Sequence, residues 1–192
     1  MFVSSVHRWR DLPRSKAAST VNRRSLQTAP ARLIAGLPEL GSVLYVPMRP
    51  DGSVLRELPR GVLVEVMQLA PLLQTRTLVA ASAITSDGPR EWIDCLDHEG
   101  RSHARLHLLP DTDYLAWDRL LEPALAQAGR LPRWLRPARP ACAKVLRFHT
   151  RRLGGLTVLG AETRMPISSL GRQLAGQIAC TEAVPLQLAN ND

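Results

Sequence analysis

Alternating apolar and polar positions, interrupted by turn residues, divide this chain into short elements. Ser42-Val-Leu-Tyr-Val-Pro47 predicts a strand, Arg49-Pro-Asp-Gly52 a turn, and Ser53 to Leu58 a returning strand. Val62 to Leu73 is apolar with Glu65 and Gln68 interspersed, and its periodicity suits a short helix or a buried strand equally. Arg76 to Thr85 is rich in β-branched residues and predicts a strand, followed by a turn over Ser86 to Arg90. The clearest unit follows. Glu91 to Asp97 and Arg101 to Leu109 predict two strands joined tightly through His98-Glu99-Gly100, and Pro110 ends the second. Asp111-Thr112-Asp113 then opens a helix with a side chain suited to capping, and Tyr114, Trp117, Leu121 and Leu125 form its expected buried stripe. Pro123 should kink or restart that helix.

Residues 129–141 carry three prolines and four arginines and read as an extended connector. Lys144 to Thr150 and Leu156 to Glu162 predict two further strands around Gly154-Gly155, and Ile167 to Cys180 a closing helix with Pro166 at its start. Together these elements predict one α+β domain over 33–182, an antiparallel β-sheet with helices packed against it. A disordered basic tail over 1–32 precedes it and a loose tail over 183–192 follows. Deleting residues 1–30 is expected to leave folding intact, because the segment shows no amphipathic period and carries like charge.

Composition narrows the classes. The chain has 192 residues, 45% apolar and 22% charged, near the globular norm, which excludes global disorder and collagen-like repeats. No run of about 18 apolar residues exists, so no membrane-spanning helix is expected. Cys95, Cys142 and Cys180 are widely spaced, which excludes a cysteine-rich zinc module or a disulfide framework and suits reduced thiols in a cytoplasm. Residues 1–30 lack the apolar core of a secretory signal. Their composition resembles a mitochondrial presequence, although a disordered tail or a start codon assigned too early fits as well.

The net charge of +8 is unevenly spread: +6 over 1–33, −5 over 34–129, +8 over 130–152 and −1 over 153–192. Two basic blocks of this kind attract anions, including nucleic acid, anionic lipid, phosphates and propionates. Only Lys16 and Lys144 are lysines, against 23 arginines, and the wealth of Arg, Ala, Leu and Pro suggests a GC-rich bacterial genome. Arginine abundance therefore says little about nucleic acid.

Of five histidines, His103 and His107 flank Arg105 at alternate positions, so an unbroken strand places all three on one face. Two histidines four residues apart on a strand stand about 13 Å apart, too far to share one zinc ion. Such a row is a solvent face or a surface for an anionic or aromatic ligand. His149 lies among Arg147, Arg151 and Arg152, and cationic neighbours favour its neutral, ligating form. No GxSxG, HExxH, Walker loop or GxGxxG is present. The carboxylate pairs Asp94/Asp97 and Asp111/Asp113 have structural readings as turns or caps, and Cys95 reads as core. No set of residues assembles an enzyme's machinery.

The segment Trp92 to Leu121 (WIDCLDHEGRSHARLHLLPDTDYLAWDRLL) resembles one repeat of the bacterial hemin transport and degradation proteins of the HemS, HmuS and ChuX type. Leu96-Asp97-His98-Glu99-Gly100 occupies that family's turn, Arg101 to Leu109 its second strand, and Pro110 to Asp113 with Tyr114 to Leu121 its break and helix. The likeness covers about 30 of the 192 residues. The family's aromatic before the turn is Leu96 here, its histidine after the turn falls on Ala104, and no histidine lies between His7 and His98. The resemblance implies a half-length, diverged relative with a HemS/ChuX-like fold. It would bind or hand over heme in the cytoplasm, in iron homeostasis, without catalysis of its own and alongside heme-uptake proteins. His103, His107 and His149 are then the candidate heme ligands, and Arg105, Arg147 and Arg151 the candidate propionate partners. The alternative is a nucleic-acid-binding or protein-interaction module that uses the basic blocks.

Overall fold

A computed structural model describes residues 21–49, 61–122, 139–163 and 166–187. These residues form a nine-stranded sheet and three α-helices. The strands are β1 (Val21–Gln27), β2 (Ser42–Pro47), β3 (Val62–Val64), β4 (Thr77–Thr85), β5 (Gly88–Leu96), β6 (Ser102–His107), β7 (Ala143–Leu153), β8 (Leu156–Glu162) and β9 (Leu186–Gln187). The helices are α1 (Pro30–Gly36), α2 (Tyr114–Leu121) and α3 (Ser169–Thr181), and 3-10 turns cover Leu37–Leu40 and Met67–Gln74. Strand order is β1-β4-β5-β6-β2-β7-β8-β3, with β9 beside β7.

The α+β class holds, but the sheet is mixed, because β3 runs parallel to β8 and β9 parallel to β7. The apolar stretch that suited helix or strand becomes both, strand β3 followed by a 3-10 turn interrupted at Pro71. The returning strand expected over 53–58 lies outside the described residues, as do Pro123, Leu125 and most of the 129–141 connector.

Order begins earlier than the sequence suggested. Residues 21–27, expected within a disordered tail, pair along their full length with β4, and Pro30 starts α1. Arg23 and Arg24 are exposed while Ser25 and Leu26 are buried, so this edge strand hides behind its charges. Deleting residues 1–30 would remove this strand, so a loss of stability is now the expected outcome. At the other end Leu186 and Gln187, expected to be loose, extend the sheet.

Local chemistry sets the element ends. Asp113 caps α2 by accepting from the Ala116 amide, and Ser168 caps α3 by accepting from Gly171. Asp111 in turn accepts from the Ser168 amide and hydroxyl, tying the β6–α2 connection to the start of α3. The two-residue β7–β8 turn has φ of 53° at Gly154 and 83° at Gly155, the left-handed pair that suits the twist of a tight hairpin.

Each sheet face has its own core. One side gathers Tyr45, Leu78, Ile93, Cys95, Leu106 and Phe148 under α1, α2 and the 3-10 turns. Trp117, Leu120 and Leu121 are buried there, but Tyr114, expected in the same stripe, is exposed and Ala116 takes its place. The opposite side packs Leu44, Val46 and Val145 against Ala175, Ile178 and Ala179 of α3. This smaller core covers the middle of that face.

Candidate functional site

The β6 row does not lie on one face. Pairing with β5 runs Trp92–His107, Asp94–Arg105 and Cys95–Ala104, then shifts to Leu96–Ser102, leaving His103 as the extra residue of a bulge. The bulge re-aims His103 so that its Nε2 lies 2.9 Å from the Thr75 hydroxyl. Thr75 also hydrogen-bonds the buried Cys95 thiol, which burial pushes well above its ordinary pKa. Burial likewise pushes the His103 pKa down to about 4. Its Nδ1 is buried and has no partner among the described residues.

Arg105 and His107 stay together, but beneath α3. Arg105 Nε donates to Asp94 Oδ1 at 2.7 Å, and Trp92 Nε1 donates to Asp94 Oδ2 at 3.2 Å. A second guanidinium nitrogen donates to Glu182, at the end of α3, and the guanidinium lies 5.7 Å from the Trp92 ring centroid. His107 is only 4% exposed, and burial, helped by Arg105 and Arg90, pushes its pKa down to about 3. Among the described residues neither ring nitrogen has a hydrogen bond, and Glu182 stands 4.0 Å from Nε2. The expected ligand row is thus a buried clamp that fastens α3 to the sheet.

His149 has different surroundings. Along β7, Val145 faces α3, and Arg147, His149, Arg151 and Leu153 follow on the same side. The His149 side chain is 38% exposed and Arg151 54%. Arg147 is exposed as well, so α3 leaves this part of the face open. His149 pairs across the sheet with Gly160, beyond which lies Glu65 just after β3. Glu65 Oε2 sits 3.2 Å from His149 Nε2, and Glu65 Oε1 accepts from Arg151 Nε at 2.6 Å. The Arg151 hydrogen bond, with His149 adding to it, holds the Glu65 carboxyl below its usual range. The purely cationic neighbourhood expected for His149 is therefore corrected by one carboxylate. A Cβ on residue 160 would fall on the Glu65 carboxylate and the His149 ring as they stand, so glycine leaves the space in which they meet.

Glu65 and Gly160 are the residues that sequence reasoning missed. Glu65 lies 84 positions from His149, and only the parallel β3–β8 pairing brings it near. A glycine inside a strand signal was the one available hint. Exposed Leu63, Leu153 and Leu156 add apolar surface around the open half. The larger of two adjoining cavities, about 620 Å³, lies elsewhere, along α2 between Arg24, Leu115 and Glu122. It is lined by none of the predicted site residues. Among the described residues no three His, Cys, Asp or Glu side chains are placed to share a metal ion.

No protein family and no curated protein matches the chain. Similar solved structures include the heme-degrading enzyme ChuS of Escherichia coli O157:H7, at 18% identity and a TM-score of 0.39 over 53% of this chain and 34% of that one. A second ChuS structure, described as an E. coli heme oxygenase, gives 15% identity and 0.37 over 52% and 34%. The heme-binding protein PhuS of Pseudomonas aeruginosa in its holo form gives 20% and 0.39 over 62% and 39%. The chain spans little more than a third of the proteins it matches, and the functional reading stands on its own residues. Among the described residues no helix is long and apolar enough to cross a membrane.

Proposed function

We propose that this chain binds heme as cargo in the cytoplasm, to hold it or hand it over, at the open half of the sheet. One observation carries the reading: a part-exposed imidazole, His149, stands between two exposed arginines, Arg147 and Arg151, on one face. Strand geometry sets each arginine about 6.6 Å along β7 from the histidine. A porphyrin presents one metal centre, two carboxylates and a broad apolar ring. The face offers an imidazole for the first, guanidinium forks for the second, and Leu63, Leu153 and Leu156 for the third. Among the described residues Arg147 makes no side-chain hydrogen bond or ion pair, while Arg151 must exchange Glu65 for the incoming carboxylate. His107 is sealed, His103 is half-buried and held by Thr75, and Arg105 is occupied by Asp94 and Glu182, so this reading moves the ligand role to His149. Heme-uptake proteins are the corresponding partners.

The test is a hemin titration followed by absorbance. Wild-type protein should give a sharp Soret band at one equivalent, largely insensitive to salt. His149→Ala should lose or shift the band with its thermal melt unchanged. Tight binding of DNA or RNA that weakens steeply with salt, without a Soret shift, would instead assign the arginine row to nucleic acid.

A further inference from the structure

Glu65 stands where a ligand of His149 would have to stand. The Nδ1 of His149 is buried with no hydrogen-bond partner among the described residues, so Nε2 is the nitrogen through which the ring reaches outward, and Glu65 holds it at 3.2 Å. The same carboxylate holds Arg151 at 2.6 Å. One anionic group thus occupies both the imidazole and a guanidinium of the open face. Gly160 lies between and leaves the space for this contact. A residue at the start of the loop after β3 has therefore been brought across a whole strand to engage the two side chains best suited to an external ligand.

We infer that Glu65 is an internal competitor that sets the affinity of this face for its ligand. The ligand it resists is one that presents a Lewis-acidic centre to the imidazole and a carboxylate to Arg151. Naming that ligand heme rests on the reading proposed above, whereas the hold of Glu65 on His149 is a property of the free chain. On binding, Nε2 exchanges its contact with Glu65 for the metal centre, any proton on it leaving to solvent, and Arg151 exchanges one carboxylate for another. The face without ligand keeps its cation and imidazole matched to an internal anion, so adventitious anions gain less there.

Glu65→Gln, of the same shape, tests this with two readouts on the full chain. The first is the rate of carbethoxylation of His149 by diethylpyrocarbonate, followed by peptide mass spectrometry without hemin. The second is hemin affinity from the Soret titration. The inference expects faster modification of His149 in the variant and about threefold tighter hemin binding, the change expected from losing one exposed charge-assisted contact. Glu65→Asp, with a shorter reach across Gly160, should behave alike and controls for loss of charge. Equal modification rates in wild type and variant overturn the inference whatever hemin does. Faster modification with equal hemin affinity overturns the competition. Faster modification with no hemin band in any protein upholds the hold on His149 and overturns the heme reading instead.

Discussion

Two groups of the same side-chain types lie on one face of one sheet and meet opposite fates. Beneath α3, the buried Asp94 and His107 are packed with the half-buried Arg105, Glu182 and Trp92 into a clamp. Beyond α3, Glu65, His149 and Arg151 make comparable contacts in the open. Residue type does not separate the groups; coverage by the closing helix does. A buried carboxylate must keep its cation, because an uncompensated charge in the interior is far costlier than an exposed one. An exposed pair is worth little and can change partners.

Breaking the buried clamp should have the largest effect. Asp94→Ala should lower stability by about 3 kcal/mol, the low end for breaking a buried ion pair, because Arg105 retains Glu182. Chemical denaturation would measure it, and a loss below about 0.5 kcal/mol would place the clamp among surface pairs. Removing Val21–Gln27 should also cause a large loss, by stripping β1 from β4 and exposing Leu26.

The pH dependence sharpens the contrast. His103 and His107 are held neutral in the fold, with pKa values lowered to about 4 and about 3. The unfolded chain takes up protons near pH 6.5 while the folded chain does not, so both contribute stability that is fully present above pH 6.5. That stability falls as pH drops below 6.5 and levels off only near the folded values. His107→Leu should flatten this slope, and thermal melts from pH 7 to 4.5 would show it. Because both nitrogens of His107 lack hydrogen bonds among the described residues, the same variant should keep or gain stability at pH 7. A marked loss there would mean that an unrecognised partner serves the ring. The smallest effect belongs to the open group: His149→Ala should shift stability by no more than about 0.5 kcal/mol.

Much of the strand and helix pattern was legible in the sequence, including β2, β4 to β8 and both longer helices. What escaped it has physical reasons. In β1 (VNRRSLQ) Ser25 and Leu26 are the only buried residues, so an edge strand carries almost no alternation. The bulge at His103 leaves the written alternation of Ser102 to His107 untouched, because only pairing with β5 reveals the extra residue. That single residue is what separates His103 from Arg105 and His107. His107 read as exposed because its cover, α3, arrives more than sixty positions later in the chain. His149 was found from its arginine neighbours, but its acidic partner depends on a parallel pairing that local sequence does not encode.

The central claim is that the bulge at His103 and coverage by α3 together decide which histidine is free for chemistry. A pair of reciprocal variants tests it in one hemin titration. A protein with His103→Ala and His107→Leu keeps His149, and a protein with His149→Ala keeps the other two. The first should retain the wild-type Soret band and stoichiometry, and the second should lose or shift it while melting like wild type. The opposite result, a band that survives His149→Ala and disappears with His103 and His107, would contradict the account.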